Sequence, residues 1–278
     1  MDKITVFKAQ QWAFSFINKH QKEESAAELL LCGQFGWDTT QLLMHYQDEL
    51  STKEWNLFKQ NVEKYCQGWP AQYLLGQAKF FGLDLKVTPA TLIPRQETEE
   101  LVEWVLADEP KKGAKLLDIG TGTGAIGLTL KHERPDLDVT LSDISSEALA
   151  VAKVNAANLK TEVKLKQGDL FENITGQFDI IVSNPPYIAE NERNLMDESV
   201  LLHEPKLALF APDNGLYLYK RLAQEIAPYL TSKARLYLEI GFAQGASVVA
   251  LFEKTFPQAQ VDLKYDLSGN ARMVRVEF

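Results

Sequence analysis

Residues 116–127 read LLDIGTGTGAIG and join a predicted strand to a predicted helix. The apolar residues before Asp118 indicate a buried strand, and the glycines after it allow the backbone to turn tightly and to approach a ligand closely. The helix that follows leaves its first N–H groups free to bind that ligand. This stretch therefore predicts a strand–loop–helix unit with a ligand site at the carboxyl end of the strand.

The glycine pattern is compatible with two classes of cofactor. The segment GTGAIG at 122–127 satisfies the dinucleotide fingerprint, and Asp143 follows near the expected offset of ~20 residues. A nicotinamide dehydrogenase is therefore one open interpretation. The other is S-adenosylmethionine, because the strand ends in Asp118 and the glycine-dense turn after it suits an amino acid moiety. Asp143 does not discriminate, since it can accept hydrogen bonds from ribose hydroxyls in either case.

A third acid follows a third predicted strand. Asp169 is preceded by a glycine and followed by Leu170 and Phe171, which offer an apolar face for an adenine ring. Each acid taken alone can be a residue that caps nearby N–H groups. Three acids at the ends of successive strands favour a shared ligand site.

Away from the glycine loop, predicted strands and helices alternate. The predicted strands are Lys115–Ile119, Asp138–Ser142, Glu162–Lys166, Phe178–Ser183, Arg235–Ile240, Gln260–Lys264 and Met273–Phe278. The predicted helices are Gly124–His132, Ser146–Leu159, Gly215–Leu230 and Ala243–Phe256. This order predicts an α/β fold with a doubly wound, mostly parallel seven-stranded sheet.

The region before Pro70 is predicted to form a small bundle of four or five short helices. Apolar residues recur at helical spacing from Val6 to Ile17. Signals of the capping-box type precede three further apolar runs, at Ser25–Glu28, Asp38–Gln41 and Ser51–Glu54.

A hairpin and a proline-containing connector are predicted to separate this bundle from the sheet. Apolar and polar residues alternate around Gly82. Pro89 and Pro94 then stiffen the chain up to Arg95. The expected domains are residues 1–77 as the helical domain, 78–94 as the hairpin and linker, and 95–278 as the ligand-binding α/β domain.

Composition narrows the possible partners. The chain has 278 residues and a net charge of -9, which argues against phosphate backbones as partners. The absence of a long apolar run and of a signal-peptide pattern predicts a cytoplasmic protein without a membrane partner. Cys32 and Cys66 form no Cys-x-x-Cys pair, and the four histidines are scattered, so no metal site is expected.

The fourth predicted strand runs into Asn184-Pro185-Pro186-Tyr187. Neither proline can donate to a sheet ladder, and both push the preceding residue into extended geometry. The loop is therefore expected to be stiff, at the same sheet edge as the glycine loop. Taken alone, it can also be a turn that merely ends a strand.

The chemistry of a planar NH2 group gives this loop a specific use. The lone pair of such a nitrogen is delocalised, as the amide rotation barrier of ~18–20 kcal/mol shows. The side-chain oxygen of Asn184 and the carbonyl of Pro185 can accept both hydrogens and direct the lone pair at a methyl donor. Tyr187 can pack on the planar group. Such positioning can contribute ~7–11 kcal/mol, and a nicotinamide enzyme has no comparable use for it.

In this order, the glycine loop, Asp143 and the NPPY quartet resemble class I S-adenosylmethionine-dependent amino-methyltransferases. Further segments narrow the resemblance to the bacterial release factor glutamine methyltransferases, the PrmC/HemK family. These segments are PAQYLLG at 70–76, FFG at 80–82, LIPRQETE at 92–99, HEPKLAL at 203–209 and LEIG at 238–241. The resemblance implies a Rossmann-like methyltransferase domain, a substrate-recognition role for residues 1–77, and methylation of the glutamine side-chain amide in the Gly-Gly-Gln loop of release factors.

The resemblance also implies roles for individual residues. The implied cofactor-binding residues are Gly120, Thr121, Gly122, Thr123, Gly124, Asp143, Asp169, Leu170, Phe171 and Asn184. The implied substrate-binding residues are Asn184, Pro185, Pro186, Tyr187, Arg95 and Glu97, with Thr98 as further support and with Asn184, Pro185 and Tyr187 as the catalytic set. Gln96 stands where the family usually has proline. Leu170 stands where tryptophan is frequent, so either Leu170 or Phe171 can be the residue that covers adenine.

Three other functions are open at this point. An enzyme that methylates an exocyclic amine of DNA or RNA would use the same quartet, but the net charge of -9 and the lack of a Lys/Arg-rich segment argue against it. A non-catalytic module that kept the cofactor fold would have no reason to keep two acceptors in the loop. The dehydrogenase ranks last. A monomer is expected.

Overall fold

The computed structural model describes residues 4–278, which contain eleven α-helices and nine strands. The helices are α1 (Val6–Lys19), α2 (Ser25–Phe35), α3 (Thr39–Met44), α4 (Thr52–Cys66), α5 (Ala71–Leu75), α6 (Gln96–Ala107), α7 (Ala125–Glu133), α8 (Ser146–Asn158), α9 (Glu198–His203), α10 (Tyr217–Glu225) and α11 (Gly245–Thr255). The strands are β1 (Gln77–Phe80), β2 (Leu83–Lys86), β3 (Lys115–Ile119), β4 (Asp138–Asp143), β5 (Lys164–Gln167), β6 (Phe178–Ser183), β7 (Leu230–Glu239), β8 (Gln260–Tyr265) and β9 (Ala271–Glu277).

These elements fall into two compact units. The first holds the chain through Gln77 together with Asp197–His203, and the second holds Ala78–Met196 and Glu204–Phe278. The α9 segment thus groups with the first unit, although the sequence placed it in the α/β domain. No helix within residues 4–278 is both long and apolar enough to cross a membrane.

The first unit is a bundle around α1, α2 and α4. Its core combines small and large apolar side chains at helical spacing: Val6, Ala9, Ala13, Ile17, Ala27, Leu30, Leu31, Phe58 and Val62. Two predicted capping boxes form, at Asp38 and Ser51. The third prediction is wrong, because Ser25 is already the first residue of α2 and no side-chain cap precedes it. Glu24 has helical φ and ψ, so the helix begins without an extended capping residue.

The second unit contains a seven-stranded sheet in the order β5-β4-β3-β6-β7-β9-β8. The first five strands in this order pair in parallel, and β9 runs antiparallel to both of its neighbours. The predicted α/β class with a mostly parallel seven-stranded sheet is confirmed. The chain moves outward from β3 to β5 and then returns to place β6 beside β3, which makes the β3–β6 boundary the switch point where ligands of such sheets bind.

Helices cover both faces of the sheet. Neighbouring residues of a strand point to opposite sides, so they pack against different helices. Leu116 packs with α6, α7 and α8, whereas Leu117 packs with α10 and α11. The same division separates Ile180 from Ile181 in β6. This explains why the central strands are continuous apolar runs rather than alternating ones.

Several boundaries differ from the prediction. Helix α6 was not predicted, because its first turn is charged and only Leu101, Val102 and Val105 are buried as an apolar stripe. The predicted helix Gly215–Leu230 is shorter, since α10 ends at Glu225 and Pro228 falls in a 3-10 turn. Strand β7 consequently begins at Leu230, five residues before the predicted Arg235.

Candidate active site

A cavity of about 560 Å³ opens at the carboxyl ends of β3, β4 and β6, within the second unit. The glycine loop after β3, Asp143 at the end of β4 and Asn184 after β6 all line it. Ser183 connects two of these strand ends directly, because its hydroxyl donates to the carbonyl of Ile119 at 2.7 Å. The predicted clustering of the glycine loop and the NPPY loop is therefore present.

The glycine loop is held by the neighbouring strand. The amides of Gly120 and Thr121 both donate to the carbonyl of Ser142, at 2.9 Å each. Gly120 and Gly122 have φ values of 71° and 56°, a region that other residues rarely adopt. A Cβ built on either glycine would meet no protein atom within 4 Å. Both residues line the cavity, so the loop leaves open space there for a bound molecule.

Asp143 lies beside the glycine loop, as the last residue of β4. Its carboxylate accepts from the amide of Gly122 at 2.8 Å through one oxygen and from the amide of Ser145 at 2.9 Å through the other. Burial raises the pKa of Asp143, and these backbone donors oppose the rise. A carboxylate has four lone-pair sites, so Asp143 can still accept a hydrogen bond from a ligand hydroxyl.

Asp118 lies outside the cavity, although its position in the sequence suggested a place at the ligand site. It is buried, and its Oδ2 accepts from the hydroxyl of Thr121 at 2.6 Å and from the amide of Gly127 at 3.0 Å. Desolvation raises its pKa to about 7. Asp118 does not line the cavity and instead ties the loop to the first turn of α7.

Residues 169–171, which follow β5, lie in two different environments. Leu170 lines the cavity, whereas Phe171 faces away from it and stacks on Tyr229 with ring centroids 4.5 Å apart. Asp169 lines the cavity but forms an ion pair with Arg221 at 2.7 Å. Of Leu170 and Phe171, only Leu170 lines the cavity.

The side chain of Asn184 has a defined orientation. Its Nδ2 donates to the hydroxyl of Thr98 at 3.2 Å, and that hydroxyl donates to Oε2 of Glu239 at 2.6 Å. Oδ1 of Asn184 accepts no hydrogen bond from residues 4–278, and Asn184 lines the cavity. Pro185 and Pro186 continue the lining. The site thus presents an amide oxygen and a rigid prolyl backbone to a molecule in the cavity.

The comparisons with known proteins agree with this geometry. Residues 97–212 match the methyltransferase small domain, and residues 8–76 match the PrmC N-terminal domain. The release factor glutamine methyltransferase of Enterococcus faecalis is 43% identical over 98% of this chain and 98% of its own length. That of Bacillus subtilis is 40% identical over 97% and 96%.

The chain belongs to the release factor glutamine methyltransferase family. A crystal structure of a methyltransferase from Pyrococcus furiosus has the same fold, with a TM-score of 0.54 and 20% identity over 71% of this chain and 89% of that one. The sequence-based resemblance is confirmed at the level of the family and of the α/β methyltransferase fold.

Not every residue expected from the family lines the cavity. The lining includes Gly120, Thr121, Gly122, Thr123, Asp143, Asp169, Leu170, Asn184, Pro185, Pro186 and Arg95. Gly124, Phe171, Tyr187 and Glu97 lie outside it. A Cβ on Gly124 would approach Leu128 to 2.6 Å, so this glycine serves helix packing. Direct contact of Tyr187 or Glu97 with substrate stays a prediction.

Tyr187 is nevertheless tightly held in this family member. Its carbonyl accepts from Nε2 of Gln244 at 2.9 Å, and its hydroxyl lies 3.4 Å from Oε1 of Glu239. Burial raises the pKa of the Tyr187 phenol, which therefore stays protonated as a donor. These contacts fix the carboxyl end of the quartet, while Thr98 fixes its first side chain.

Arg95 is held by a buried acid, Glu204, which lies in the HEPKLAL segment and for which the resemblance implied no role. Its guanidinium pairs with Oε1 of Glu204 at 2.5 Å, and the amide of Ile93 donates to Oε2 at 3.2 Å. Glu204 therefore fastens the connector that forms one wall of the cavity. Within residues 4–278, no group of three or more metal-ligating side chains is close enough to hold an ion.

Gly215 provides a prediction about the rigidity of the NPPY loop. It has a φ of +78°, and a Cβ there would lie 1.9 Å from the carbonyl oxygen of Tyr187. We expect Gly215→Ala to displace that carbonyl and to lower kcat about tenfold, in addition to a conformational cost of about 1–2 kcal/mol. Methyl-transfer kinetics and the melting temperature measure the two effects.

Gly269→Ala is the matched control, because Gly269 has a φ of +81° with no protein atom within 4 Å of a built Cβ. It carries the same conformational cost without the collision. Equal losses of stability and of kcat in the two variants would contradict a role for the close approach at Tyr187.

Proposed function

We propose that this chain transfers the methyl group of S-adenosylmethionine to the side-chain amide nitrogen, N5, of the glutamine in the Gly-Gly-Gln loop of peptide chain release factors. Family membership supports the reaction class and the substrate. The observation that carries the proposal is the orientation of Asn184, whose amide NH2 is engaged by Thr98 and whose Oδ1 is left to accept from a substrate NH2.

The cavity fits S-adenosylmethionine in size and in donor set. Its volume of about 560 Å³ lies in the range of small-molecule sites. The open glycine loop would approach the amino acid moiety, Asp143 would accept from the ribose hydroxyls, and Leu170 would contact the adenine ring. When bound, the cofactor supplies a methyl group activated by a positively charged sulfur.

The protein's part in the reaction is to orient a poor nucleophile. In the proposed complex, Oδ1 of Asn184 and the carbonyl of Pro185 accept the two hydrogens of the glutamine amide. This arrangement leaves the nitrogen lone pair as the group that faces the methyl donor. The two prolines restrict the backbone of the loop, so little order has to be gained when the substrate binds.

No general base is required before the methyl group is transferred. In the proposed reaction, the methyl carbon would bond to the nitrogen as its bond to the cofactor sulfur breaks, and S-adenosylhomocysteine would leave. The positively charged nitrogen would then lose one proton to water. The side chain of Asn184 forms its hydrogen bond within residues 4–278 with Thr98 and not with an acid, and Glu239 is linked to it through Thr98. Asp118 lies outside the lining of the cavity.

The proposal extends to the rest of the chain. Residues 1–77 would recognise the body of the release factor, and residues 95–278 would carry out methyl transfer, with 78–94 as hairpin and linker. Release factors act on ribosomes, so the enzyme would work in the cytoplasm, as the monomer expected from the sequence. Nucleic acid is not the proposed substrate.

Radiolabelled S-adenosylmethionine distinguishes the two kinds of substrate. The protein is incubated with a release factor, with the same factor carrying Gln→Glu in its Gly-Gly-Gln loop, or with total nucleic acid. We expect label on the unchanged factor alone, and mass spectrometry should find one added methyl group on that glutamine. Label on nucleic acid, or equal label on the Gln→Glu factor, would contradict the proposal.

A further inference from the structure

A buried acid connects the two ends of the NPPY loop. Glu239 is 1% exposed at the end of β7, and its two neighbours, Leu238 and Ile240, are apolar and fully buried. One carboxylate oxygen accepts from the hydroxyl of Thr98, and the other faces the hydroxyl of Tyr187. Burying a carboxylate costs free energy of folding, so a buried acid beside the cavity points to a functional role.

The hydrogen bonds around Thr98 have only one consistent direction when Glu239 is ionised. A carboxylate accepts and cannot donate, so the single hydroxyl hydrogen of Thr98 points to Glu239. The short distance of 2.6 Å agrees with a charge-assisted bond. The hydroxyl oxygen then has only lone pairs to offer, and it selects the NH2 end of the Asn184 amide.

This direction matters because an asparagine amide has two nearly equal ends. A rotation of ~180° about its last side-chain bond exchanges oxygen and NH2 with almost no change in shape. In the rotated form, Asn184 would present donors to a substrate NH2, which is itself a donor. The amide would then repel the group that it has to hold.

We propose that Glu239 and Thr98 form a positioning relay that keeps Oδ1 of Asn184, and not its Nδ2, directed at the substrate nitrogen. The inference rests on the proposed function, because it requires a substrate that donates hydrogen bonds to Asn184. Glu239 and Thr98 are positioning residues here, since they act through Asn184.

The charged and titratable groups around Glu239 come from four elements. Burial raises its pKa to about 7, against the hydrogen bond from Thr98 and the positive charge of Arg272 in β9. Glu97 in α6 raises it further, and the Tyr187 hydroxyl lowers it. Tyr219 in α10 donates to the backbone carbonyl of Glu239 at 2.9 Å. The test is therefore made at a pH one unit or more above 7, where Glu239 is ionised.

Two substitutions of Thr98 separate its hydroxyl from its shape. Thr98→Val keeps the volume and removes the hydroxyl, whereas Thr98→Ser keeps the hydroxyl. We expect the valine variant to lower the single-turnover rate with a release factor about 10- to 100-fold, and the serine variant to stay within about threefold of the unchanged enzyme. S-adenosylmethionine affinity, measured on the same samples, should change little in both variants. The melting temperature of the valine variant should fall, since the buried carboxylate of Glu239 loses a hydrogen bond, and this fall should persist when Asn184 is also replaced.

A double-mutant cycle with Asn184→Ala then tests whether Thr98 acts through Asn184. With the amide gone, Thr98→Val should change the residual rate by less than about twofold, so the two effects are strongly non-additive. A full Thr98→Val loss in the Asn184→Ala background would overturn the relay, as would equal losses in the valine and serine variants.

The cycle also separates this inference from the proposed function. If the unchanged enzyme methylates the release factor glutamine and the cycle is additive, the relay alone is wrong. If the unchanged enzyme does not methylate that glutamine, both proposals are overturned.

Discussion

Replacing Asn184 with alanine is expected to lower kcat for release factor methylation by about 10²–10³, the usual cost of losing one preorganised polar contact at a reacting group. The alanine removes Oδ1, one of the two acceptors proposed to hold the substrate NH2. S-adenosylmethionine affinity should change by less than about threefold, because Asp143 and the glycine loop remain in place. Single-turnover kinetics and calorimetric titration of the cofactor measure the two quantities.

Asn158→Ala is the matched control for this substitution. Asn158 is exposed at the last residue of α8 and does not line the cavity. Its replacement should leave kcat and cofactor affinity unchanged. Unchanged turnover in Asn184→Ala would contradict the proposal that Oδ1 of Asn184 holds the substrate NH2. An equal loss in both variants would point to a general effect on folding.

Replacing Asp143 with alanine is expected to have the opposite pattern. The dissociation constant of S-adenosylmethionine should rise by about 100-fold, since hydrogen bonds to a charged group contribute about 1.5–3 kcal/mol each. The carboxylate also holds the amides of Gly122 and Ser145, so its loss loosens the glycine loop. At saturating cofactor, kcat should fall much less than in Asn184→Ala.

Asp138 offers a control on the same strand. It lies at the amino end of β4, far along the strand from Asp143, and its carboxylate pairs with the exposed Lys164. Surface ion pairs of this kind contribute little, so Asp138→Ala should leave the dissociation constant within about twofold. A similar rise in both variants would show that Asp143 affects affinity through the strand and not through the ligand.

The sequence predicts most of this site because its central residues form local motifs. A few neighbouring residues are enough to infer the conformation or the chemistry of each motif. The motifs are the positive-φ glycines, the acid at the end of β4 and the Asn-Pro-Pro loop. The alternation of strands and helices then brings the loops to one sheet edge, where the β3–β6 boundary places them side by side.

The parts that the sequence does not predict depend on distant partners. Thr98 is separated from Asn184 by 86 residues and from Glu239 by 141, so no local pattern shows that the three form one chain of hydrogen bonds. The signal that could have found Glu239 is a single acid within the apolar run of β7. Helix α6, which carries Thr98, was missed for a related reason, since its buried stripe is short and its first turn is charged.

Two acids show why a motif residue needs its structural surroundings. Asp118 and Asp143 both lie at the carboxyl ends of strands, but Asp118 is one residue before the end of β3 and is held by Thr121 and Gly127, whereas Asp143 is the last residue of β4 and lines the cavity. Gly127 leaves room beside α7 for the carboxylate of Asp118, since a Cβ there would lie 3.0 Å from one of its oxygens. The strand ends look equivalent in sequence and serve different purposes.

The central claim is that Asn184 and Pro185 hold the NH2 group of the substrate glutamine. Its most direct test is a structure of the protein with S-adenosylhomocysteine and a peptide that contains Gly-Gly-Gln. We expect the glutamine side chain in the cavity, with its nitrogen about 2.7–3.2 Å from both Oδ1 of Asn184 and the carbonyl oxygen of Pro185, and facing the cofactor sulfur. A complex in which Nδ2 of Asn184 meets the glutamine, or in which that side chain lies outside the cavity, would contradict it.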